Sequence, residues 1–314
     1  MSSPASSSVI ADQTAMHAAI ALANTGWQIP PPGTLRSLFD IMFDWAIIYV
    51  AAWTEYRVGA CIMVLTILII GNRQRALGNL LHEASHQNLS ARRNLNDWVG
   101  QFLLAPALLA NLAVYRVQHA RHHAWLGDPA RDPDYLPHIP HSPRHWFEAY
   151  ARVAGNASIW VGSLLGHLAG KRLSLARRFT IILWWIVHES VLCLLVGRHF
   201  ALLFLAIWIT AKATVFHAIT TFREMNDHYG LESGGIFRHT RETPDLGVLS
   251  VLIHPHHNGY HLTHHLFPHI PYFHLPHAHA SLKQIAAFNQ RAIVCDKYFS
   301  GAHASVSGWG AVHV

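Results

Sequence analysis

The sequence predicts an all-α integral membrane protein. Two observations support this prediction: the composition and the apolar segments. Of 314 residues, 51% are hydrophobic and only 13% are charged, whereas soluble domains average about 25% charged residues. Eleven tryptophans and 14 phenylalanines suit a protein that meets lipid at an interface. Three cysteines without a CxxC pair argue against both a disulfide framework and a thiolate zinc site.

The N-terminal region predicts a surface element and not a membrane span. Residues 1–10 are rich in serine and alanine and lack a basic region, so we expect no signal peptide. Ala11–Trp27 is mildly amphipathic and precedes three prolines, which predicts an interfacial or surface helix. We therefore divide the chain into an N-terminal tail with this helix (1–37), a membrane domain (38–285) and a C-terminal tail (286–314).

Four apolar segments predict two transmembrane hairpins. Phe179–Gly197 and Phe200–Ile219 are each close to the ~20 residues that cross a bilayer core. Ile41–Trp53 and Val58–Ile70 are shorter, so their hairpin needs helices that extend beyond the bilayer, or a thinned membrane. As one broken span, this pair would place Glu55 and an arginine at mid-membrane, which is costly, and the hairpin is therefore favoured.

A fifth apolar segment, Gln101–Tyr115, is short and contains Pro106. If it crossed the membrane, the histidine clusters on either side of it would face opposite compartments, so we expect a re-entrant or interfacial segment. The excess of basic residues then lies on one side, which the positive-inside rule identifies as cytoplasmic. A net charge of +6 accordingly fits a membrane surface better than nucleic acid. The basic residues on that side are Arg73, Arg75, Arg92, Arg93, Lys171, Arg172, Arg177, Arg178 and Arg223.

Three ionisable residues interrupt the second predicted hairpin. His188 and Glu189 lie in the middle of a span, where such residues are functional candidates. The alternative is a hydrogen bond between them, or to a neighbouring helix, that faces the bundle. Lys212 is expected to reach the cytoplasmic face along its apolar stem.

Three histidine clusters follow apolar segments. The first, His82 and His86, continues the helical register of residues 76–81, so both imidazoles share one face. The second and third have the spacing i, i+3, i+4, which places three imidazoles on one helical face, as a polydentate metal site requires. These six residues are His119, His122, His123, His261, His264 and His265.

Two simpler explanations of these clusters are weaker. A single HxxxH is weak evidence, but two HxxHH clusters together with it arise by chance in only about one sequence in a hundred or fewer. A diffuse metal-buffering tract fits the other C-terminal histidines, which have no fixed spacing. Eight imidazoles exceed the four ligands of a zinc site, which favours two ions, although the sequence leaves iron and zinc open. The histidines without fixed spacing are His254, His256, His257, His269, His274, His277 and His279.

The motifs HEASH, HARHH and HLTHHLFP resemble the three histidine boxes of the membrane fatty-acid desaturase and hydroxylase superfamily. The flanking stretches GNRQRALGNLLHEASH, HHAWLGDPARDPDY and HLFPHIPYFHLPHAH agree, and the resemblance covers about residues 40 to 285. It implies four transmembrane helices under a cytosolic helical cap with a di-iron centre that activates O2. It also implies electrons from a separate ferredoxin or cytochrome b5-type protein and its reductase.

The resemblance also implies a ligand set. The eight box histidines would bind iron, and His228 would be a ninth ligand because REMNDHYG resembles the family's short pattern before the third box. The family's asparagine four positions before that histidine is Glu224 here, with Asn226 displaced, so the residue that makes this contact in the family is not at its position in this chain. We expect surrounding polar residues to orient the ligands: Glu83, Asp132, Asp134, Glu224, Asn226, Asp227 and Asn258.

The expected function is therefore O2-dependent desaturation of an acyl chain. The HxxxH form of the first box resembles bacterial acyl-lipid desaturases, and the absence of a haem-binding HPGG motif implies a separate reductant. A lipid or acyl-carrier substrate, the membrane and the electron-transfer protein are the expected partners, with the active site on the cytoplasmic side. Hydroxylation or ketolation of a lipid or carotenoid is one alternative, and a non-catalytic metal-binding membrane protein is another.

Overall fold

A computed structural model describes residues 6–23, 27–137, 145–170 and 173–310. The chain forms two compact units. The first, which we call the apolar unit, comprises residues 33–115 and 154–221. The second, which we call the histidine unit, comprises the residues before Gly33, residues 116–153 and the residues after Thr221.

The described residues are mostly α-helical, in agreement with the composition. Short 3₁₀ turns join several helices, and Gly100–Leu104 and Lys212–Phe216 are π-helical. Within the described residues, two short strands, β1 (Arg241–Glu242) and β2 (Ile293–Val294), pair in parallel. This pair departs from the all-α prediction. The helices are α1 Ser7–Ala23, α2 Thr34–Val58, α3 Met63–Ser85, α4 Arg93–Val99, α5 Leu112–Ala124, α6 Trp146–Ala154, α7 Ala157–Leu165, α8 Leu175–Leu195, α9 Arg198–Ala211, α10 His217–His228, α11 Ile236–His239, α12 Val248–Ile253, α13 His261–Leu266, α14 Leu275–Leu282 and α15 Ala286–Asn289.

In the apolar unit, α2 and α3 of the first predicted hairpin pack side by side. Of these two helices, only α3 is apolar enough to count as a membrane span. Both helices extend well beyond the apolar segments in the sequence, because the acidic residues of α2 find partners inside the unit. Arg73 of α3 donates a hydrogen bond of 2.8 Å to Asp44, and Thr66 donates one of 3.3 Å to buried Glu55. Gly59, with φ of +92°, ends α2 in a conformation that favours glycine.

The second predicted hairpin is α8 packed against α9, with Gly197 (φ +120°) at the turn. The α3 helix approaches the following π-turn so closely that a Cβ atom on Gly71 would lie 2.5 Å from Val215 Cβ. Lys212 of this turn is buried, with Nζ 4.1 Å from the centroid of the Phe216 ring. The expectation that Lys212 extends to the cytoplasmic face is therefore wrong, because its ammonium is held against an aromatic ring.

Among the described residues, three helical segments are long and apolar enough to cross a membrane. They are Ala60–Ser85, Leu175–Leu195 and Arg198–His228. A fourth is added if Arg93–Leu108 and Leu112–Ala124, which meet at an angle of 88°, form one broken span. The bend lies within the segment predicted to be re-entrant or interfacial. These helices fit an integral membrane protein.

The bend is held by the residues that follow α7. The backbone N–H of His167 donates to the Leu109 carbonyl at 3.0 Å, and its Nδ1 accepts the Asn111 N–H at 3.1 Å. Gly166 has φ of +53°, and a Cβ atom there would lie 2.8 Å from the Leu109 carbonyl oxygen. The close approach that satisfies the backbone of the bend therefore requires glycine.

In the histidine unit, α1 packs against α11, α13 and α15. Asp12 of α1 accepts the Ile236 N–H at 2.7 Å and binds Arg291. The predicted surface helix is thus anchored by a buried carboxylate. Residues 286–310, predicted to be a tail, contribute β2 and the buried side chains of Phe288, Tyr298 and Trp309, because these large apolar groups are packed within the unit.

Several predicted cytoplasmic arginines form internal hydrogen bonds. Arg75 is buried and donates to Asn79 at 3.0 Å. Arg178 donates to the carbonyls of Leu168 and Gly170 at 2.9 and 2.7 Å. Lys171 and Arg172 lie outside the described residues.

Candidate metal centre

The histidine unit contains two groups of converging imidazoles. The first joins His119 and His123 of α5 to His264 of α13, and their ligand nitrogens lie within 4.8 Å of one another. His123 Nε2 lies 3.0 Å from His119 Nε2 and 3.1 Å from His264 Nε2. Both α5 and α13 are helical, so histidines three or four positions apart within a box lie on the same face of their helix.

The second group is fully buried. It contains His122 of α5, His228 at the end of α10, and His261 and His265 of α13. His261 Nε2 lies 2.9 Å from His228 Nε2 and 3.0 Å from His265 Nε2. His228 therefore joins the second group through its Nε2 atom, at the point where the sequence pattern REMNDHYG ends a helix.

Two of these imidazoles are fixed by hydrogen bonds at Nδ1. His122 Nδ1 donates to Asp132 at 2.9 Å, and His228 Nδ1 donates to the His239 carbonyl at 2.7 Å. Burial raises the pKa of Asp132, but the hydrogen bonds that it accepts from His122 and from the Gly127 and Asp134 N–H groups help to outweigh burial, and the pKa is lowered overall. The anchored Nδ1–H groups leave the lone pair of Nε2 directed into the group, which is the arrangement that metal-binding histidines adopt.

The remaining two imidazoles of this group are held neutral. Burial lowers the pKa of His261 and His265 well below the ordinary value. Neutral imidazole is the form that binds a metal. Nitrogen lone pairs packed about 3 Å apart in a buried place repel one another, and a cation between them removes that repulsion. The two groups thus fit metal ions with nitrogen ligands.

The first histidine box lies in the apolar unit, at the C-terminal end of α3. The ring centroids of His82 and His86 lie 5.0 Å apart. His82 Nδ1 lies 3.2 Å from Glu83 Oε1, and Asn88 Nδ2 donates to Glu83 Oε2 at 3.2 Å. Glu83, a predicted orienting residue, thus fixes His82 in the way that Asp132 fixes His122.

The other predicted orienting residues occupy different positions. Asp134 is half exposed, and its Oδ2 lies 4.0 Å from His122 Nδ1, too far for a hydrogen bond. Asp227 Oδ2 lies 3.6 Å from His261 Nε2 but binds Arg223 at 2.8 Å.

Asn226 donates to Thr243 at 3.0 Å. Glu224 is half-buried on α10, and Asn258 is buried.

Residues outside the three histidine boxes also fix the position of α13. Sequence patterns did not identify them. Gln13 Nε2 donates to the His265 carbonyl at 3.1 Å across 252 positions of sequence. Glu242 accepts the Thr263 N–H at 2.9 Å and also the Thr263 hydroxyl. A contact between such distant positions leaves no spacing signal in a single sequence.

Comparison with known proteins identifies the family. The fatty acid desaturase family model matches residues 59–296, which is most of the chain. The chain belongs to the fatty acid desaturase family. This membership confirms the superfamily that the three boxes indicated, and it classes the chain with oxidoreductases. In this desaturase-family chain, the histidine groups are compatible with metal binding.

Two curated relatives of this desaturase-family chain are also named desaturases. Dihydrorhizobitoxine desaturase of Bradyrhizobium elkanii is 26% identical over 266 residues, which cover 77% of this chain and 74% of that protein. Acyl-lipid (9+3)-(E)-desaturase of Dimorphotheca sinuata is 30% identical over 99 residues, which cover 32% of this chain and 23% of that protein. Neither similarity is high enough to transfer a substrate.

Proposed function

We propose that this chain is an O2-dependent membrane desaturase that inserts a double bond into an acyl chain. The observation that supports it best is the second histidine group, in which four buried imidazoles direct their nitrogens to one place. Such a set suits a cation that prefers neutral nitrogen ligands, whereas calcium and magnesium sites are built mainly from oxygen ligands. Family membership adds the reaction class.

The proposed ligands are the nine histidines expected from the sequence. Seven lie in the two groups of the histidine unit. His82 and His86 are included because the first box resembles that of other desaturases. Two iron ions are proposed because nine imidazoles exceed the capacity of one ion.

Bound iron would supply the activation of O2. Asp132 orients His122 and the His239 carbonyl orients His228. Burial favours the neutral forms of His228, His261 and His265 by lowering the pKa of each. Desaturation removes one hydrogen from each of two adjacent methylenes. With O2 and two electrons and two protons, the products are an alkene and two water molecules.

We propose further that the chain is an integral membrane protein with its active site on the cytoplasmic side. The positive-inside distribution of arginines supports this orientation. A separate ferredoxin or cytochrome b5-type protein, together with its reductase, would supply the electrons.

Expression in a host with a compatible ferredoxin, followed by mass spectrometry, tests the reaction. A lipid product two daltons lighter than its precursor supports desaturation, whereas a gain of sixteen daltons supports a hydroxylase. Since one relative is named for a substrate other than an acyl lipid, the soluble metabolites are measured in the same cultures. A host lacking the ferredoxin is the control, and no mass change in either fraction contradicts the proposal.

Metal analysis distinguishes the oxygenase from a non-catalytic metal-binding protein. After anaerobic reconstitution, we expect close to two iron ions for each chain. Zinc alone, with iron unable to replace it, would contradict the oxidative function while leaving the histidine groups as a metal site.

A further inference from the structure

The N-terminal helix α1 is hydrogen-bonded to both helices that carry histidine boxes in the histidine unit. The Ser6 N–H, at the start of α1, donates to the Ala124 carbonyl at 2.8 Å. Ala124 is the last residue of α5 and lies two positions after His122. Further along α1, Gln13 Nε2 donates at 3.1 Å to the carbonyl of His265 on α13. Helix α1 therefore bridges the two helices that supply three of the four histidines of the second group.

The same helix also holds the segment that orients His228, the fourth member of the group. Asp12 accepts the Ile236 N–H at the start of α11 at 2.7 Å. Helix α11 is a single turn that ends at His239, and the His239 carbonyl accepts the Nδ1–H of His228 at 2.7 Å. Helix α1 is thus connected to each segment that supplies the second group, either directly or through one helical turn.

Apolar contacts keep α1 in this position. Val9 and Met16 are buried, and the ring of His17 packs edge-on against Phe267 at a centroid distance of 5.0 Å. Helices in proteins owe most of their stability to the packing of one face and not to propensity. The docking of α1 is therefore a local equilibrium that can shift without unfolding of the whole unit.

A metal ion in the second group would join the same segments that α1 joins. Its four imidazoles come from α5, α10 and α13, so the ion can leave only when these helices move apart. While α1 is docked, that movement must also break hydrogen bonds of Ser6, Asp12 or Gln13. A bound ion, in turn, keeps the helices in the arrangement that α1 contacts. Each event therefore favours the other, and such a coupling is reciprocal.

We propose that Asp12 and Gln13 are positioning residues of the metal centre: by docking α1, they hold the ligand-bearing segments together and slow the release of the bound ion. The inference rests on the proposed metal site. It adds to that site a helix that the sequence places outside the membrane domain. Asp12 and Gln13 act through backbone groups of α11 and α13 and do not bind the metal themselves.

Release of Co²⁺ tests the role of these two residues. The full chain in detergent is loaded with Co²⁺, excess EDTA is added, and the visible absorption of the bound ion is followed. Gln13→Leu removes the donor but retains apolar volume. We expect one of the two release phases to become about tenfold faster, the lower end of the effect of removing a partner of a ligand histidine. Asp12→Ala should accelerate the same phase, and Thr14→Ala, on the exposed face of α1, should release Co²⁺ at the wild-type rate.

Digestion of α1 by subtilisin tests the reciprocal effect. Mass spectrometry of the fragments gives the rate of cleavage between residues 7 and 23. In the wild-type chain, saturation with Co²⁺ should slow this cleavage about fivefold or more, the usual size of such a coupling. Co²⁺ should slow the cleavage of Gln13→Leu by a smaller factor, because its α1 no longer bonds to a ligand residue. A substitution that only loosened α1 would instead accelerate cleavage equally with and without Co²⁺.

Two results would overturn the proposal: equal release rates from Gln13→Leu and the wild-type chain, or cleavage of wild-type α1 that Co²⁺ does not slow. If Gln13→Leu fails to fold, the digestion of the wild-type chain still decides. A wild-type chain that binds no Co²⁺ would overturn the proposed metal site and this inference with it. Because neither measurement needs O2 or an electron donor, their outcomes are separate from that of the desaturase assay.

Discussion

Asp132 holds His122 by a hydrogen bond of 2.9 Å to Nδ1, and it also accepts the backbone N–H groups of Gly127 and Asp134 at 2.9 Å each. The carboxylate is therefore fixed by the loop after α5 before it fixes the imidazole. A ligand oriented in this way needs no rearrangement when a metal binds.

Asp132→Ala should weaken metal binding about 10- to 100-fold, the usual effect of removing a partner of a ligand histidine. Affinity is measured by competition between the purified protein and a chelator for Co²⁺ or Fe²⁺. Asp134→Ala is the matched control, because its carboxylate lies in the same loop and is half exposed. Equal affinities of Asp132→Ala and the wild-type chain would remove Asp132 from the orienting residues.

His123→Ala should abolish turnover and lower the bound iron while leaving membrane insertion intact. His123 Nε2 lies within 3.1 Å of two other imidazole nitrogens, so its loss removes the central imidazole of the first group. His269→Ala is the control, since that residue is exposed and belongs to neither group among the described residues. An active, iron-loaded His123→Ala protein would show that His123 is not a ligand.

Local spacing predicted the parts of the site that lie on single helices. The i, i+3, i+4 pattern of α5 and α13 places His119, His122 and His123, and likewise His261, His264 and His265, on one face each. Spacing cannot predict the partner of His228, because that partner is a backbone carbonyl and carries no side-chain signature. Nor can it predict the contact of Gln13 with His265, which depends on tertiary packing.

The first hairpin shows a related limit. In the sequence, the apolar part of α2 covers only Ile41–Trp53, which is shorter than a bilayer span needs. In the structure, Asp44 pairs with Arg73 on the neighbouring helix, so the polar cost is offset by a partner that hydropathy along one segment does not reveal.

Glu242→Gln should destabilise the protein by about 1–3 kcal/mol. The buried carboxylate accepts both the N–H and the hydroxyl of Thr263, and it lies 2.8 Å from His279 Nδ1. An amide nitrogen in that place would face other donors. Chemical denaturation in detergent measures the change, with Glu232→Gln as the control, because that carboxylate is exposed and exposed pairs contribute little. Equal effects of the two substitutions would contradict this role.

Asp12→Ala should lower stability by roughly 0.5–2 kcal/mol, as the loss of other helix N-terminal caps does. Asp12 satisfies the Ile236 N–H at the start of α11 and binds Arg291, so α1 would also detach more readily. Limited proteolysis within α1 reports that detachment. Thr14→Ala, on the exposed face of the same helix, is the control and should digest at the wild-type rate.

Acidification should loosen the bend between the 3₁₀ turn at Pro106–Leu108 and α5. Burial lowers the pKa of His167 from 6.5 to about 4, so the folded chain keeps this imidazole neutral while the unfolded chain takes up a proton below about pH 6.5. Unfolding is therefore increasingly favoured as the pH falls from about 6.5 toward 4. The protonated ring could no longer accept the Asn111 N–H.

His167→Asn retains an acceptor but does not titrate, so its stability should depend less steeply on pH in that range than that of the wild-type chain. Equilibrium unfolding at several pH values measures both slopes. His199→Asn, at an exposed position, should keep the wild-type slope. Identical slopes for His167→Asn and the wild-type chain would show that His167 does not couple the bend to pH, because every other histidine is present in both proteins.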